Sequence, residues 1–385
     1  ILLGSAYEGN ASPELADDQY TRAFQVANGS AAIGLPFANF LVRRGSVDRA
    51  EEVLERVVQS EPRNIAAYRA LAQIRVSRGD WVGAEAAANS LAALEDDQSI
   101  VNRIRGIALQ GQQKFEQSIA AFEQSQQAAP NEFRPMASLV DAYFRAGEPE
   151  KAEAFLESVL EASPSNVFAH ALLGQLYTEL QRTDKAVAVL RQGVERNPKS
   201  PTAYTALAQY YGRQGEREAQ LATLEQGLGE LPNDPTMGLL RAGVLEQLGR
   251  KEDALEQYQS MYDASTSSPI VANNYASMLM ALQESQVAAQ AALDAMKPYM
   301  RTPVPHFRDT IGWAYYLNGE NEKALPYLEQ AAEQLPNLAE VRYHLGKVYR
   351  AEGNLSAAIK EFEKVVDLSS ENPFERLDEV KATLE

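Results

Sequence analysis

Apolar positions along the chain recur at three- and four-residue spacing, in short blocks separated by turn residues, which is the spacing of amphipathic helices rather than strands. Residues 308–337, RDTIGWAYYLNGENEKALPYLEQAAEQLPN, show the pattern in full. Gly312 marks a close approach between helices, Gly319 opens a turn, and Ala324, Leu328 and Ala331 mark the buried face of a second helix that Pro336 closes. Such a hairpin cannot bury its apolar face alone and needs neighbours. Small residues repeat at intervals of 34, or a multiple of it, through Gly4, Ala38, Ala72, Gly106, Gly174, Ala208, Ala242 and Ala276, with a two-residue slip before Gly312 and Gly346. A second small position runs through Ala16, Ala50, Ala84, Ala152, Ala186, Ala254, Ala288, Ala324 and Ala358, and prolines recur at Pro62, Pro130, Pro164, Pro198, Pro232 and Pro336.

The period, the paired small positions and the closing proline resemble the tetratricopeptide repeat (TPR) over essentially the whole chain. The resemblance implies an all-α, right-handed α-solenoid of eleven helical hairpins with a C-terminal capping helix. The register divides the chain into a truncated repeat at 1–30, eight repeats at 31–302, an insertion at 303–304 within a proline-rich connector, two repeats at 305–372 and a capping helix at 373–385. The chain begins with Ile1 partway through a repeat, so it reads as a fragment with further repeats and any targeting signal upstream.

Gly45, Gly79, Gly147, Gly215, Gly249, Gly319 and Gly353 fall at the turns within hairpins, where a left-handed backbone is expected. Asn64, Ser165 and Ser200 are expected to cap the following helices. Ser118 and Gln220 replace the usual alanine, Gly238 stands where a large residue is usual, and the exit at 263–269 lacks an early proline; these are expected points of local loosening. Between Met296 and Phe307, Pro298, Pro303 and Pro305 predict a stiff, extended connector. Phe374, Leu377, Val380 and Leu384 recur at helical spacing and predict the terminal cap.

The formal net charge is −17, from 53 acidic and 36 basic residues. That balance argues against nonspecific nucleic-acid binding and adsorption to anionic lipid. With no cysteine, thiolate metal sites, disulfides and thiol nucleophiles are excluded. No apolar run is long enough to span a membrane. Three histidines lie in separate repeats, none with a second histidine four residues on, and no phosphate-binding or nucleophile-elbow motif occurs. The chain therefore reads as no enzyme, with no cofactor and no metal.

In the TPR family the first helix of each hairpin lines a concave surface. Carried onto this sequence, that rule places Arg43, Arg69, Arg103, Arg134 and Arg145 there in the early repeats, with Asp141 the one acid among them. Middle repeats add Glu179, Arg213 and Glu246, and the last two add His306, Asp309, Trp313, Tyr316, Glu340, Tyr343, Lys347 and Arg350. Two readings of the arginines stand: they solvate exposed helix faces and pair with neighbouring acids, or they form a strip for an anionic partner such as an acidic peptide or an anionic polysaccharide. Trp313 either packs against the next helix or forms an exposed anchor patch with Tyr316 and Tyr343.

The C-terminal third, with VANNYASMLM at 271–280, DTIGW at 309–313 and YHLG at 343–346, resembles the terminal repeats of bacterial envelope TPR lipoproteins associated with exopolysaccharide biosynthesis and exosortase systems. Tyr275 and Ser277 depart from that pattern, which usually has leucine and tryptophan there. The resemblance implies a periplasmic protein-interaction scaffold, anchored to the outer membrane through a region upstream and supporting exopolysaccharide export or surface assembly. Its protein partners would be envelope enzymes or export components. An adaptor for a periplasmic protease or cell-wall hydrolase, a direct carbohydrate-binding module, and a cytoplasmic location are the alternatives.

Overall fold

In the computed structural model every regular element among the described residues is helical, and those residues are 2–9, 12–94, 97–265, 268–370 and 373–385. Part of the expected first turn (10–11), part of the 263–269 exit (266–267) and the two residues before the tail (371–372) lie outside them. The chain divides into two compact units, Ile1–Asn197 and Pro198–Glu385. The first contains α1 (Leu2–Gly9), α2 (Pro13–Val26), α3 (Ala31–Arg43), α4 (Val47–Ser60), α5 (Ile65–Arg78), α6 (Trp81–Ala92), α7 (Gln98–Gly111), α8 (Phe115–Ala128), α9 (Phe133–Arg145), α10 (Pro149–Ala162), α11 (Val167–Glu179) and α12 (Thr183–Arg196). The second contains α13 (Pro201–Gln214), α14 (Arg217–Glu230), α15 (Pro235–Gln247), α16 (Lys251–Ala264), α17 (Pro269–Leu282), α18 (Gln286–Met296), α19 (Pro305–Leu317), α20 (Asn321–Gln334), α21 (Ala339–Ala351), α22 (Leu355–Leu368) and α23 (Leu377–Leu384).

Within each unit every helix packs on the next, and most odd-numbered helices also touch the odd-numbered helix that follows, as α5 does α7 and α19 does α21. This is the α-solenoid of stacked hairpins. The small positions explain how the hairpins close. A methyl group at Gly312 would lie 2.6 Å from Leu328 Cγ, and one at Gly346 would lie 2.6 Å from the Phe362 ring. Gly106 faces Phe122 and Gly174 faces Leu190 in the same way, so a large side chain on the second helix occupies the space a side chain on the first would need.

The turn is left-handed within the hairpins from α3–α4 to α15–α16 and in the last two, with φ of 74° at Gly45 and 82° at Gly319, whereas the α17–α18 turn is extended at Gln283 (φ −134°). Two repeats achieve the same turn without glycine, at Gln113 (φ 61°) and Gln181 (φ 57°). Asn64 caps α5 by accepting from Ala67 N at 3.0 Å, as expected. At the next expected cap the residue is Asn166 rather than Ser165, accepting from Ala169 N at 3.0 Å, and Ser200 makes no side-chain capping bond.

Three of the expected weak points, Ser118, Gln220 and Gly238, are packed. Ser118 Oγ donates to Gly106 O at 2.8 Å, which satisfies the buried hydroxyl. The Gln220 side chain lies in space left by Gly212 and accepts from Arg217 at 3.0 Å. Met261 fills the space beside Gly238. The connector is not extended throughout. Lys297–Tyr299 form a turn of 3-10 helix, and Tyr327 Oη donates to Met300 O at 3.1 Å.

Two recurrent bonds join successive hairpins. His170, Arg308 and Arg342, on the first turns of α11, α19 and α21, each bond a backbone carbonyl six residues earlier, at 3.0 Å to Pro164, Thr302 and Pro336. Tyr143, Tyr177 and Tyr349 donate to glutamates on the preceding helix: Glu123 at 2.8 Å, Glu153 at 2.9 Å and Glu329 at 2.7 Å. Burial and Glu329 together push the Tyr349 hydroxyl up to about 12.

Candidate partner-binding surfaces

In the first unit the five arginines singled out from the sequence separate into distinct roles. Arg43, on α3, braces the preceding hairpin: its Nε lies 2.9 Å from Glu8. Arg145 folds onto Asp141 one turn earlier at 2.7 Å. Both charges are neutralised locally, as the solvating reading expects. Arg69 is half-buried on α5. Arg103 on α7 and Arg134 on α9 differ. Neither pairs with a carboxylate among the described residues, and the two sit near enough to repel. Burial first, and then the charge of Arg134, pull the Arg103 guanidinium below its ordinary value. Arg103 is half-buried and Arg134 is exposed, so this face carries two uncompensated cations on adjacent repeats of an acidic chain.

In the second unit Trp313 and Tyr343 are packed rather than displayed, and Tyr316 is half-buried. Trp313 is 6 % exposed and stacks on two rings, with centroids 4.1 Å from His344 and 4.9 Å from Tyr316. Tyr343 is 1 % exposed. The sequence left Trp313 open between packed and exposed; the stacking partners from α19 and α21 decide it. Asp309, expected on a partner-facing surface, instead holds His344 Nδ1 at 3.0 and 3.1 Å. Burial disfavours the charged imidazole, but the Asp309 carboxylate outweighs it and the net direction is upward.

Lys347, Arg350 and Tyr343, also expected to face a partner, meet the C-terminal tail. Phe374 packs on the Tyr343 ring at 5.4 Å. Glu379 lies 3.0 Å from Tyr343 Oη and 2.8 Å from Lys347 Nζ, and Arg350 donates to Thr383 at 3.4 Å. The tail also reaches farther back: Glu375 accepts from Lys251 Nζ at 2.8 Å, and Arg376 pairs with Glu284 and donates to Tyr343 Oη at 3.2 Å. A pocket of about 160 Å³ remains beneath it, lined in part by Asp309, Trp313, Tyr343, His344 and Phe374.

Two tetratricopeptide-repeat profiles match the sequence, one over 13–74, 41–106, 109–166 and 153–210, the other over 205–269 and 310–373. The chain belongs to the tetratricopeptide-repeat family. No curated protein matches it. Among solved structures, it is similar to the Cut9–Hcn1 hetero-tetramer of the APC/C, at 14 % identity and a TM-score of 0.45, covering 100 % of this chain and 95 % of that one. It is also similar to yeast Tom70, at 11 % identity, a TM-score of 0.38 and coverage of 98 % and 93 %. A TPR protein of Thermus thermophilus, TTC0263, is 20 % identical over 47 % of this chain and 99 % of that one, with a TM-score of 0.33.

TPR proteins are in general non-catalytic scaffolds that bind protein partners. Among the described residues no three His, Asp or Glu side chains are arranged to hold a metal ion, and no helix is long and apolar enough to cross a membrane. Sequence reasoning missed Glu375 and Arg376 as surface-building residues. Periodicity assigns a terminal helix, but these two charges precede it and find their partners far back in the chain.

Proposed function

We propose that this TPR chain is a non-enzymatic protein-interaction scaffold of the bacterial cell envelope, supporting exopolysaccharide export or surface assembly, and that its first unit receives an acidic segment of its partner at Arg103 and Arg134. The observation that carries the binding reading is the pair itself: two guanidiniums without carboxylate partners among the described residues, on adjacent repeats of a chain with net charge −17. The two cations repel each other, a carboxylate seated between them would relieve that repulsion, and guanidinium matches carboxylate with two parallel hydrogen bonds. The envelope setting is supported by the DTIGW and YHLG elements at 309–313 and 343–346.

The test titrates a fluorescein-labelled hexaglutamate peptide against the full chain and against Arg103→Glu with Arg134→Glu, each first shown to retain its circular dichroism. The wild-type chain is expected to bind with an affinity that falls as salt rises, and the double variant to lose at least tenfold. Equal affinity in both chains at low and moderate salt rejects the arginine site. Fractionation of the native cells tests the setting, and recovery only from the cytoplasm overturns it.

A further inference from the structure

The C-terminal tail does more than a terminal cap requires. A cap has only to cover the last hairpin, and Val380, 1 % exposed, does that where α23 packs on α22. Glu375 and Arg376 instead pair with residues 124 and 92 positions earlier, Lys251 and Glu284. Between Lys251 at the start of α16, Glu284 just after α17, and Lys347 on α21, the tail lies across the last hairpins. It is anchored by one aromatic ring, Phe374, on Tyr343, and by one carboxylate, Glu379, on Lys347. An aromatic anchor flanked by charges is the chemistry of peptide recognition, here made in cis.

The two long-range ion pairs of the tail are open to water. The Lys251–Glu375 pair is 40 % and 80 % exposed, and Arg376–Glu284 is 34 % and 39 % exposed. Ion pairs this open to water contribute little. The surface beneath is better made than its occupant: Trp313, Tyr343 and His344 are stacked and buried, and the pocket of about 160 Å³ persists under the tail.

We infer that the face formed by α17, α19 and α21, edged by Lys251 at the start of α16, is a peptide-docking surface whose resident occupant is the chain's own 373–385 segment. Its outside ligand is an extended segment of a partner protein carrying an aromatic residue followed by carboxylates at the spacing of Phe374, Glu375 and Glu379. The partner's ring takes the place of Phe374 on Tyr343, and its carboxylates take over Lys251 and Lys347. Docking therefore requires the tail to leave. This inference rests on the protein-interaction reading but uses a different surface from the arginine pair, so the two tests fail independently.

The probe is a labelled peptide of the tail sequence, PFERLDEVKATLE, followed by fluorescence anisotropy. Three full-length chains are compared: wild type, a variant with a loosened tail (Phe374→Ala, Glu375→Lys, Glu379→Lys), and the loosened variant with Lys347→Glu added. The loosened chain is expected to bind the peptide at least tenfold more tightly than wild type, and Lys347→Glu to remove the gain. A second comparison does not depend on loosening the tail by charge reversal. The sequence contains no cysteine, so Lys251→Cys with Glu375→Cys supplies a pair that a bismaleimide can bridge. The bridged chain is expected to bind at least tenfold more weakly than the same chain unbridged. Equal binding by wild-type and loosened chains, or by bridged and unbridged chains, overturns the inference. So does peptide binding that arises only from dimers exchanging tails, seen as concentration-dependent mass in sedimentation.

Discussion

Replacing Gly312 and Gly243 by alanine makes the same chemical change in one unit and is expected to have opposite effects. At Gly312 the new methyl would sit 2.6 Å from Leu328 Cγ, 2.9 Å from its Cδ2 and 3.2 Å from Tyr327 Cβ. Leu328 is 0 % exposed, so it has no open space to move into. Overpacking of this kind costs about 1–3 kcal/mol, and alanine recovers about 1 kcal/mol of helix propensity, leaving a net loss of about 0–2 kcal/mol. At Gly243, in the middle of α15, nothing lies within 4 Å of the new methyl, and only the propensity gain of about 1 kcal/mol applies. The difference between the two variants thus isolates the crowding, about 1–3 kcal/mol. The chain has two tryptophans, so a Trp81→Phe background leaves Trp313 to report on the second unit alone during urea unfolding. The Gly243→Ala midpoint is expected to rise and the Gly312→Ala midpoint to fall below it by the crowding term. Midpoints that rise together by the same amount would refute the claim that Gly312 is kept small by Leu328.

Two further outcomes follow from other sites. Burial opposes charge on His344 but Asp309 raises its pKa overall above the ordinary 6.5, so the stability from this ion pair is fully present below that value and is lost as pH rises through the folded-state pKa; the urea midpoint of the second unit should fall on going from acid to alkaline pH across that range, and His344→Gln should flatten the fall. Gln181 holds a left-handed turn at φ 57° on an exposed site, a conformation that costs a side-chain-bearing residue about 1–2 kcal/mol; Gln181→Gly should raise the thermal midpoint of the first unit, and an unchanged or lowered midpoint would show that the turn is not strained.

Much of the solenoid is legible in the linear pattern because a repeat imposes the same local demands on each hairpin. Gly312 is small because the Leu328 side chain fills the space beside it, Gly319 is glycine because the turn is left-handed, and the spacing of Leu377, Val380 and Leu384 makes a terminal helix. Those are properties of single positions and their near neighbours. Pairings are not. Nothing in the period says that Trp313 stacks on His344, that Arg43 is taken by Glu8 while Arg103 and Arg134 are left to repel each other, or that Arg342 bonds Pro336 O. Periodicity assigns a residue to a face, but its partner on that face comes from another helix, and its charge matters only once that partner is known. Glu375 and Arg376 carry the point furthest: their partners lie 124 and 92 positions away, and only stacking of the hairpins brings Lys251, Glu284 and Tyr343 together as one seat for the tail.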